Sequence, residues 1–388
     1  MKILQVHNYY KLFGGEDILY NNEYELLTSN GHYVIQYSKK NKEIENFNLL
    51  QKVSLFFDSA ISKKSYEEIS SLIRKEKPNI CHVHNTLALI SPSVYFACKD
   101  NKIPVVQTLH NYRLLCSNAY FFRNGNICEE CLGGSLYHSV KYGCYRNSKI
   151  QTFALARMIE KHRKLNTWFE KIDMFISPSN FTRQKYIEGG FPEDKIMVKP
   201  NFLIEDSGFN YSSGDYFIFA GRMDELKGIK ILNDAAKNFS SDIKIKLAGE
   251  VNLEEEIVLD KSLESIGFIP HNILLEVIKN SIALIFPSTW YETFGVSIIE
   301  AFACGKSVIA SNHGAMAELI EDGKTGLLFE PGNSKDLAEK INWAYHHKNE
   351  MREMGKNARK EYEEKYTAEK NYQQLMNIYK EVISNYKS

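Results

Sequence analysis

No stretch of the sequence reaches the roughly 18 consecutive apolar residues that a membrane-spanning helix needs. Charge of one sign is also lacking: 48 Lys and Arg stand against 48 Asp and Glu. That balance removes the basic surplus of a wholesale nucleic-acid binder, and no nucleic-acid partner is expected. With 9 prolines and 22 glycines the chain is neither proline-rich nor collagen-like. Seven cysteines in 388 residues is an odd number, which argues against a disulfide framework. What is present is ordinary for a globular protein, 44% hydrophobic and 25% charged residues. The amino terminus, Met1-Lys-Ile-Leu-Gln-Val-His-Asn, is apolar only briefly and reads as a first strand rather than a secretory signal. A cytoplasmic protein is expected, with peripheral contact to the inner face of a membrane left open.

Short apolar runs alternate with longer amphipathic segments. Strands are expected at Ile3–Val6, Tyr33–Tyr37, Ile80–Val83, Val105–Leu109 and Met174–Ile176, with helices such as Asp17–Ser29 and Ser65–Lys75 between them. The alternation pauses near Val198 and across the small, polar stretch Glu205–Asp215, then restarts. Further strands are expected at Tyr216–Ala220, Ile243–Ala248, Ala283–Phe286 and Ser307–Ala310. Further helices are expected at Ile229–Asn238, His271–Asn280, Val296–Cys304, Lys335–His347, Glu350–Lys365 and Ala368–Lys387. The pattern is that of two α/β domains, each a parallel sheet covered by helices. Loops that follow parallel strands share one edge, where ligands collect.

The second half carries the richest candidate site. Pro287-Ser-Thr-Trp-Tyr-Glu-Thr-Phe-Gly-Val-Ser-Ile-Ile-Glu-Ala follows a buried-looking strand. Glu292 falls in the loop, Phe294, Gly295 and Val296 lead into a helix, and Glu300 lies within it. The helix start offers unpaired N–H groups to an anion, and Gly295 allows close backbone approach. Carboxylates on either side accept from hydroxyls, a pattern that describes a nucleotide sugar; alternatively Glu292 caps the helix and Glu300 is merely solvated. In Ala220-Gly-Arg-Met-Asp-Glu-Leu-Lys-Gly, Arg222 and Lys227 are placed to converge on a diphosphate, one as a fork of donors and one as a point charge. The plainer alternative is a charged surface turn. In the first half, Leu12-Phe-Gly-Gly-Glu-Asp follows strand one, so Gly14 and Gly15 form a short phosphate-cradling or close-packing loop. His110 ends a strand at the ligand edge. His82 and His84 flank Val83 and share one face of theirs, with His82 read as structural.

These residues carry a resemblance. The sequence resembles the family 4 glycosyltransferases, through Glu292-x7-Glu300 in its Pro-Ser-x-x-Tyr-Glu-Thr-Phe-Gly-Val setting, Gly221-Arg222 with Lys227-Gly228, Gly14-Gly15, and Gly305-Lys-Ser-Val-Ile-Ala with Glu318 and Gly323-x-x-Gly-Leu-Leu-Phe beyond. The resemblance implies a GT-B fold, two Rossmann-like α/β domains facing each other across a cleft. Residues 1–200 would form the acceptor-binding domain and 201–367 the nucleotide-sugar domain, while the helix 368–388 crosses back to the first. It implies a retaining transfer from a UDP- or GDP-linked donor to a glycan or lipid-linked acceptor, in the building of a bacterial surface polysaccharide. It further implies that Arg222, Lys227 and the amides around Phe294–Val296 bind the diphosphate, Glu300 the ribose and Glu292 the transferred sugar. Gly14 and Gly15 would approach the phosphates, and His110 the sugar and attacking hydroxyl. Asn201-Phe-Leu-Ile departs from the family's Asn-Gly-hydrophobic-Asp. The sequence contains no Asp-x-Asp triad, which fits departure of the diphosphate without a catalytic metal.

Two features stand outside that reading. Cys116, Cys128, Cys131 and Cys144 are spaced C-x11-C-x2-C-x12-C in a loop-like region, 111–148. The preferred reading is structural zinc, against free thiols or a labile disulfide, and the loop is expected beside the acceptor site. Residues 149–171 read as one helix with Arg157, Lys161, His162, Arg163, Lys164 and Lys171 beside Phe153, Leu155, Trp168 and Phe169. This is a candidate contact with an anionic membrane; the alternative is a packed helix with a solvated basic face. Two other functions compete with the transferase: a sugar-nucleotide epimerase of the same fold, and a non-enzymatic, zinc-stapled interaction protein.

Overall fold

The computed structural model describes residues 1–11, 14–212, 214–251 and 258–387. In chain order the first part folds as β1 (Lys2–Tyr9), α1 (Gly15–Ser29), β2 (Tyr33–Lys40), α2 (Leu49–Asp58), α3 (Lys63–Glu76), β3 (Ile80–Asn85), α4 (Ser93–Asp100) and β4 (Val105–Thr108). There follow β5 (Phe122–Arg123), β6 (Asn126–Ile127), α5 (His138–Tyr142), α6 (Lys149–Lys164), α7 (Thr167–Glu170), β7 (Met174–Ser177), α8 (Asn180–Glu188) and β8 (Ile196–Val198). The remainder is β9 (Phe217–Ala220), α9 (Ile229–Ala236), β10 (Ile245–Ala248), β11 (Leu263–Gly267), α10 (His271–Lys279), β12 (Leu284–Phe286), α11 (Val296–Ala303) and β13 (Val308–Ser311). It closes with α12 (Met316–Leu319), β14 (Gly326–Phe329), α13 (Ser334–His346), α14 (Lys348–Lys365) and α15 (Ala368–Lys387). Two compact units result. One comprises Met1–Phe121, Glu129–Lys199 and the segment from Asn371; the other comprises Phe122–Cys128 and Pro200–Lys370.

The first unit is a parallel sheet ordered β2-β1-β3-β4-β7-β8. Its central strands are buried on both faces, as parallel sheets require: β3 and β4 are buried at every residue, while the edge strand β2 is not. On one face Ile3, Ile80, Val106 and Ile176 pack with Leu27 of α1 and with Leu375, Ile378, Tyr379 and Val382 of α15. Full burial of such a side chain contributes about 1.5–3 kcal/mol, which is why α15 holds to this unit.

The second unit has the order β11-β10-β9-β12-β13-β14, again parallel. Period-two alternation splits its strands between two cores. Phe217 and Phe219 of β9 join Leu232 of α9 and Leu337 and Ile341 of α13. Ile218 and Ala220 of the same strand join Ile298 and Phe302 of α11 and Tyr362 of α14. The strand order reverses direction between β9 and β12, and a doubly wound sheet binds ligands outside the strand ends at such a switch point.

Two sequence expectations change. Residues 149–171 are two helices, because Asn166 adopts φ 50° and ends the run between α6 and α7. Within it Leu155 and Trp168 are buried, so they are core rather than surface. The strands β5, β6, β8, β11 and β14, and the helix α2, were not read from the sequence as such. Leu12 and Phe13, which open the Gly14-Gly15 motif, and Ser213 in the polar stretch lie outside the described residues.

Candidate functional site

In the second unit the switch point gathers the loops after β9 and β12. Lys227 Nζ lies 2.6 Å from Glu292 Oε1, and Ser288 Oγ donates to the same oxygen at 2.8 Å. Glu292 is buried; Lys227 sits between the rings of Phe286 and Trp290, 5.2 and 5.9 Å from their centroids. The loops are tied together: Thr289 N donates to Leu226 O at 2.9 Å, and Ser288 Oγ stands 3.1 Å from the same carbonyl. Gly228 is required here, since it has φ +77° and a Cβ would stand 1.8 Å from Pro287 O. The loop after β13 backs the site, with Ala315 N donating to Glu292 O and the His313 ring Nε2 within 2.9 Å of Ser288 O.

Arg222 is the more exposed cation of the group. Its side chain is 49% exposed and its Nη2 is 3.2 Å from Asp224 Oδ2, while Asp224 Oδ1 takes the Lys227 amide at 2.9 Å. No Cβ contact constrains Gly221, so the backbone beside Arg222 is open. Gly295 caps α11, its carbonyl accepting from Ile298 and Ile299. The amides of Val296 and Ser297, ahead of those two, are the ones an anion meets at a helix start. Phe294 is buried against Tyr366, centroids 6.0 Å apart. Glu300, one turn into α11, is buried and accepts from His271 Nε2 at 2.8 Å. That hydrogen bond raises the His271 pKa above its ordinary value against the opposing effect of burial. His271 was read only as a helix start; its adjacency to Glu300 had no sequence signal.

In the first unit the candidates lie at the ends of β1, β3 and β4. Gly14 N donates to Asp17 Oδ2 at 2.9 Å, and Asp17 Oδ1 is 2.7 Å from His7 Nε2. A Cβ on Gly14 or Gly15 would meet no atom within 4 Å. Among the described residues, nothing stands where a side chain at either position would go. Glu16 follows, its Oε2 accepting from Asn111 Nδ2 at 3.0 Å. Burial, then the Asp17 charge, push its carboxyl up to about 8.

His110 ends a buried chain of polar groups. Its Nε2 is 2.9 Å from His84 Nδ1, and His84 Nε2 is 3.2 Å from Glu23 Oε1. The same oxygen is 2.7 Å from His82 Nδ1, which also meets Tyr379 OH at 2.7 Å; His82 Nε2 meets Thr108 Oγ1 at 2.8 Å. Lys199 Nζ stands 3.8 Å from Glu23 Oε2. Burial opposes the Glu23 charge, but His82 and His84 beside it hold the carboxyl well below the usual range. Burial, then His82, lower His84 to about 4, and burial, then His84, lower His110 well below its ordinary value. Protonation states follow from the partners. Ionised Glu23 accepts N–H from His84 Nε2, which leaves His84 Nδ1 bare to accept from His110 Nε2–H. Glu23, His82 and His84 also have ligand atoms within 4.8 Å of one another. Their short mutual bonds and the neighbouring Lys199 ammonium mark a hydrogen-bonded network instead of a ligand set. His82 and His84 were read from strand alternation; Glu23, on α1, and Lys199 were missed.

The four cysteines of the zinc reading divide between the two units. Cys128 belongs with the second unit and the other three with the first. Among the described residues the one group of three or more His, Cys, Asp or Glu atoms within 4.8 Å is that of Glu23. Cys116 Sγ instead donates to Asn118 Oδ1 at 3.0 Å, and burial raises its thiol pKa. Among the described residues no helix is long and apolar enough to cross a membrane.

Comparison with known proteins fits this geometry. Residues 204–361 match the glycosyl transferases group 1 model, and residues 27–206 the Glycosyltransferase Family 4 model. The two halves are glycosyltransferase domains. Over 210 residues the chain is 32% identical to an uncharacterized glycosyltransferase of Methanocaldococcus jannaschii, covering 51% of this chain. Over 229 residues it is 25% identical to the O-antigen chain mannosyltransferase C of Escherichia coli, covering 53%. The match spans 58% of the length of each of these relatives. The fold resembles Anabaena HepE, solved in complex with UDP, with a TM-score of 0.69 at 17% identity over 97% of this chain and 99% of that one. The fold class is GT-B, two parallel-sheet α/β domains.

Proposed function

We propose that this glycosyltransferase moves a sugar from a nucleotide diphosphate, UDP- or GDP-linked, to a hydroxyl of a glycan or glycolipid, with retention and without a catalytic metal. The observation that carries the reading is the Lys227–Glu292 pair at the switch point, beside Arg222 and the start of α11. In the reaction the anomeric C–O bond to the diphosphate breaks and a bond to the acceptor oxygen forms. The acceptor proton goes to the departing phosphate oxygen. Negative charge therefore grows on the diphosphate, where Lys227, Arg222 and the Val296 and Ser297 amides stabilise it. Lys227 released from Glu292 frees that carboxylate to accept from sugar hydroxyls, while Glu300 accepts from the ribose. In the first unit, Gly14 and Gly15 supply open backbone for the phosphates, and His110 serves the sugar and attacking hydroxyl.

The UDP held by HepE supports a nucleotide donor, and the O-antigen relative supports a role in bacterial surface polysaccharide. The odd count of seven cysteines favours the cytoplasm. Thermal-shift screening of nucleotide sugars tests the reading, since a ligand of the native state raises Tm. A stabilising donor that is then consumed, with an α-linked product by NMR from an α-linked donor in the presence of chelator, is the expected result. Epimerised donor without transfer, or no donor binding at all, would contradict it.

A further inference from the structure

The helix α2 buries none of its residues. Leu49, Leu50, Val53 and Phe57 are 77%, 80%, 53% and 56% exposed. At the helical period they fall within an arc of about 100°, an apolar stripe of the width that normally faces a core. The helix is nonetheless well made. Asn48 Oδ1 accepts from Gln51 N at 2.9 Å and Gln51 Oε1 from Asn48 N at 2.8 Å. It lies on α6: Phe56 stacks on Phe153 with centroids 6.3 Å apart, and the Arg157 guanidinium sits 5.1 and 5.4 Å over Phe56 and Phe57. The apolar surface continues through exposed Phe153 and Ile150 at the start of α6.

Charge around this face is mainly positive; Asp58, which ends α2 and accepts from Ser54 Oγ at 2.6 Å, is the one acid on the helix. Segments 48–57 and 137–157 hold Lys52, Lys141, Arg146, Lys149 and Arg157, and no Asp or Glu. An apolar stripe bordered by cations suits the boundary between anionic headgroups and acyl chains. A second copy of the chain suits it poorly, because a two-fold contact would set these cations against themselves. We infer that α2, with the first turns of α6, docks the protein on an anionic lipid surface, Leu49, Leu50, Val53 and Phe57 entering the acyl boundary. The membrane contact expected over 149–171 thus moves: its Leu155 and Trp168 are core, and the exposed apolar residues are mostly on α2. The inference stands apart from the transferase reading, because lipid binding is measured without turnover.

The test is sedimentation of the full chain with equimolar phosphatidylglycerol–phosphatidylcholine vesicles and with phosphatidylcholine alone. Binding is expected to the anionic vesicles at low salt, at least about tenfold tighter than to the neutral ones. Leu49→Gln with Leu50→Gln should weaken it at least about tenfold with Tm unchanged, since both side chains are more than three-quarters exposed. Lys52→Ala and Lys149→Ala should each cost about fivefold and flatten the salt dependence. Equal binding by the double variant, no preference for the anionic vesicles, or a solution dimer that the double variant dissociates would each overturn the inference.

Discussion

Lys227 and Glu292, 65 residues apart in sequence, meet at 2.6 Å because their loops follow β9 and β12, neighbours across the point where the second sheet reverses direction. Each neutralises the other until a ligand arrives. In the proposed reaction a diphosphate competes with Glu292 for the ammonium, which would make donor binding and release of the carboxylate one event. Lys227→Ala should then act twice. Nucleotide affinity should fall tenfold to hundredfold, the weight of a charge-assisted hydrogen bond of about 1.5–3 kcal/mol. Stability should fall by about 1–2 kcal/mol, because Glu292 is left buried with Ser288 alone; partial exposure of Lys227 tempers the loss. Denaturant titration and calorimetry read the two effects separately.

Glu300 and His271 give a second test. The Glu300 bond raises the His271 pKa. In Glu300→Gln that pKa should return toward about 6.5, visible by NMR titration. The variant should also weaken binding of a ribonucleotide more than that of its deoxyribose analogue, since only the former offers both ribose hydroxyls.

The His84 environment makes a signed pH prediction. Its pKa falls to about 4 in the folded protein, where Glu23, His82 and His110 surround it, against about 6.5 unfolded. The unfolded chain therefore binds the extra proton first. The stability His84 contributes is fully present above about pH 6.5 and is lost as pH falls toward 4, by about 3 kcal/mol across the window. His84→Asn should flatten the slope of unfolding free energy against pH between those values. Glu23→Gln should instead change the His110 tautomer, seen in ring 15N shifts, since the bond that fixes the His84 ring is altered.

How much of this was legible depended on sequence distance. The loops after β9 and β12 were readable because a short apolar run, a glycine and charged residues stand together in each. The helices Val296–Ala303 and Ala368–Lys387 followed from periodicity alone. The strand Leu263–Gly267 did not, since only Leu263 is buried and no alternation marks it. The helix α2 was equally unreadable in kind: Leu-Leu-Gln-Lys-Val-Ser-Leu-Phe-Phe has an apolar face, but its exposure is a fact of packing. Glu23 reaches His84 over 61 residues and Lys199 over far more, and no spacing rule connects them. Asn166 ended a helix whose composition favoured continuing.

The backbone of the site can be tested without touching charge. Gly228→Ala places a methyl 1.8 Å from Pro287 O at a positive φ. The variant should lose more than about 1 kcal/mol of stability and bind nucleotide more weakly, because the loops carrying Lys227 and Glu292 are forced apart. Gly14→Ala, where no atom lies within 4 Å, should keep its Tm. If it lowers turnover, the space beside it serves substrate.

Structural zinc on Cys116, Cys128, Cys131 and Cys144, the reading their spacing favours, predicts one metal per chain by elemental analysis, lost with a fall in Tm in Cys128→Ser and Cys131→Ser. Metal-free protein whose Tm is the same with and without chelator would remove it from the account.

The most direct measurement is calorimetric titration of UDP and GDP, in the presence of chelator, into the wild type and Lys227→Ala. The account predicts that one of the nucleotides binds the wild type without any divalent ion, and binds the variant at least tenfold more weakly. Binding that appears only when a divalent ion is added, or equal affinity in the two proteins, would contradict it.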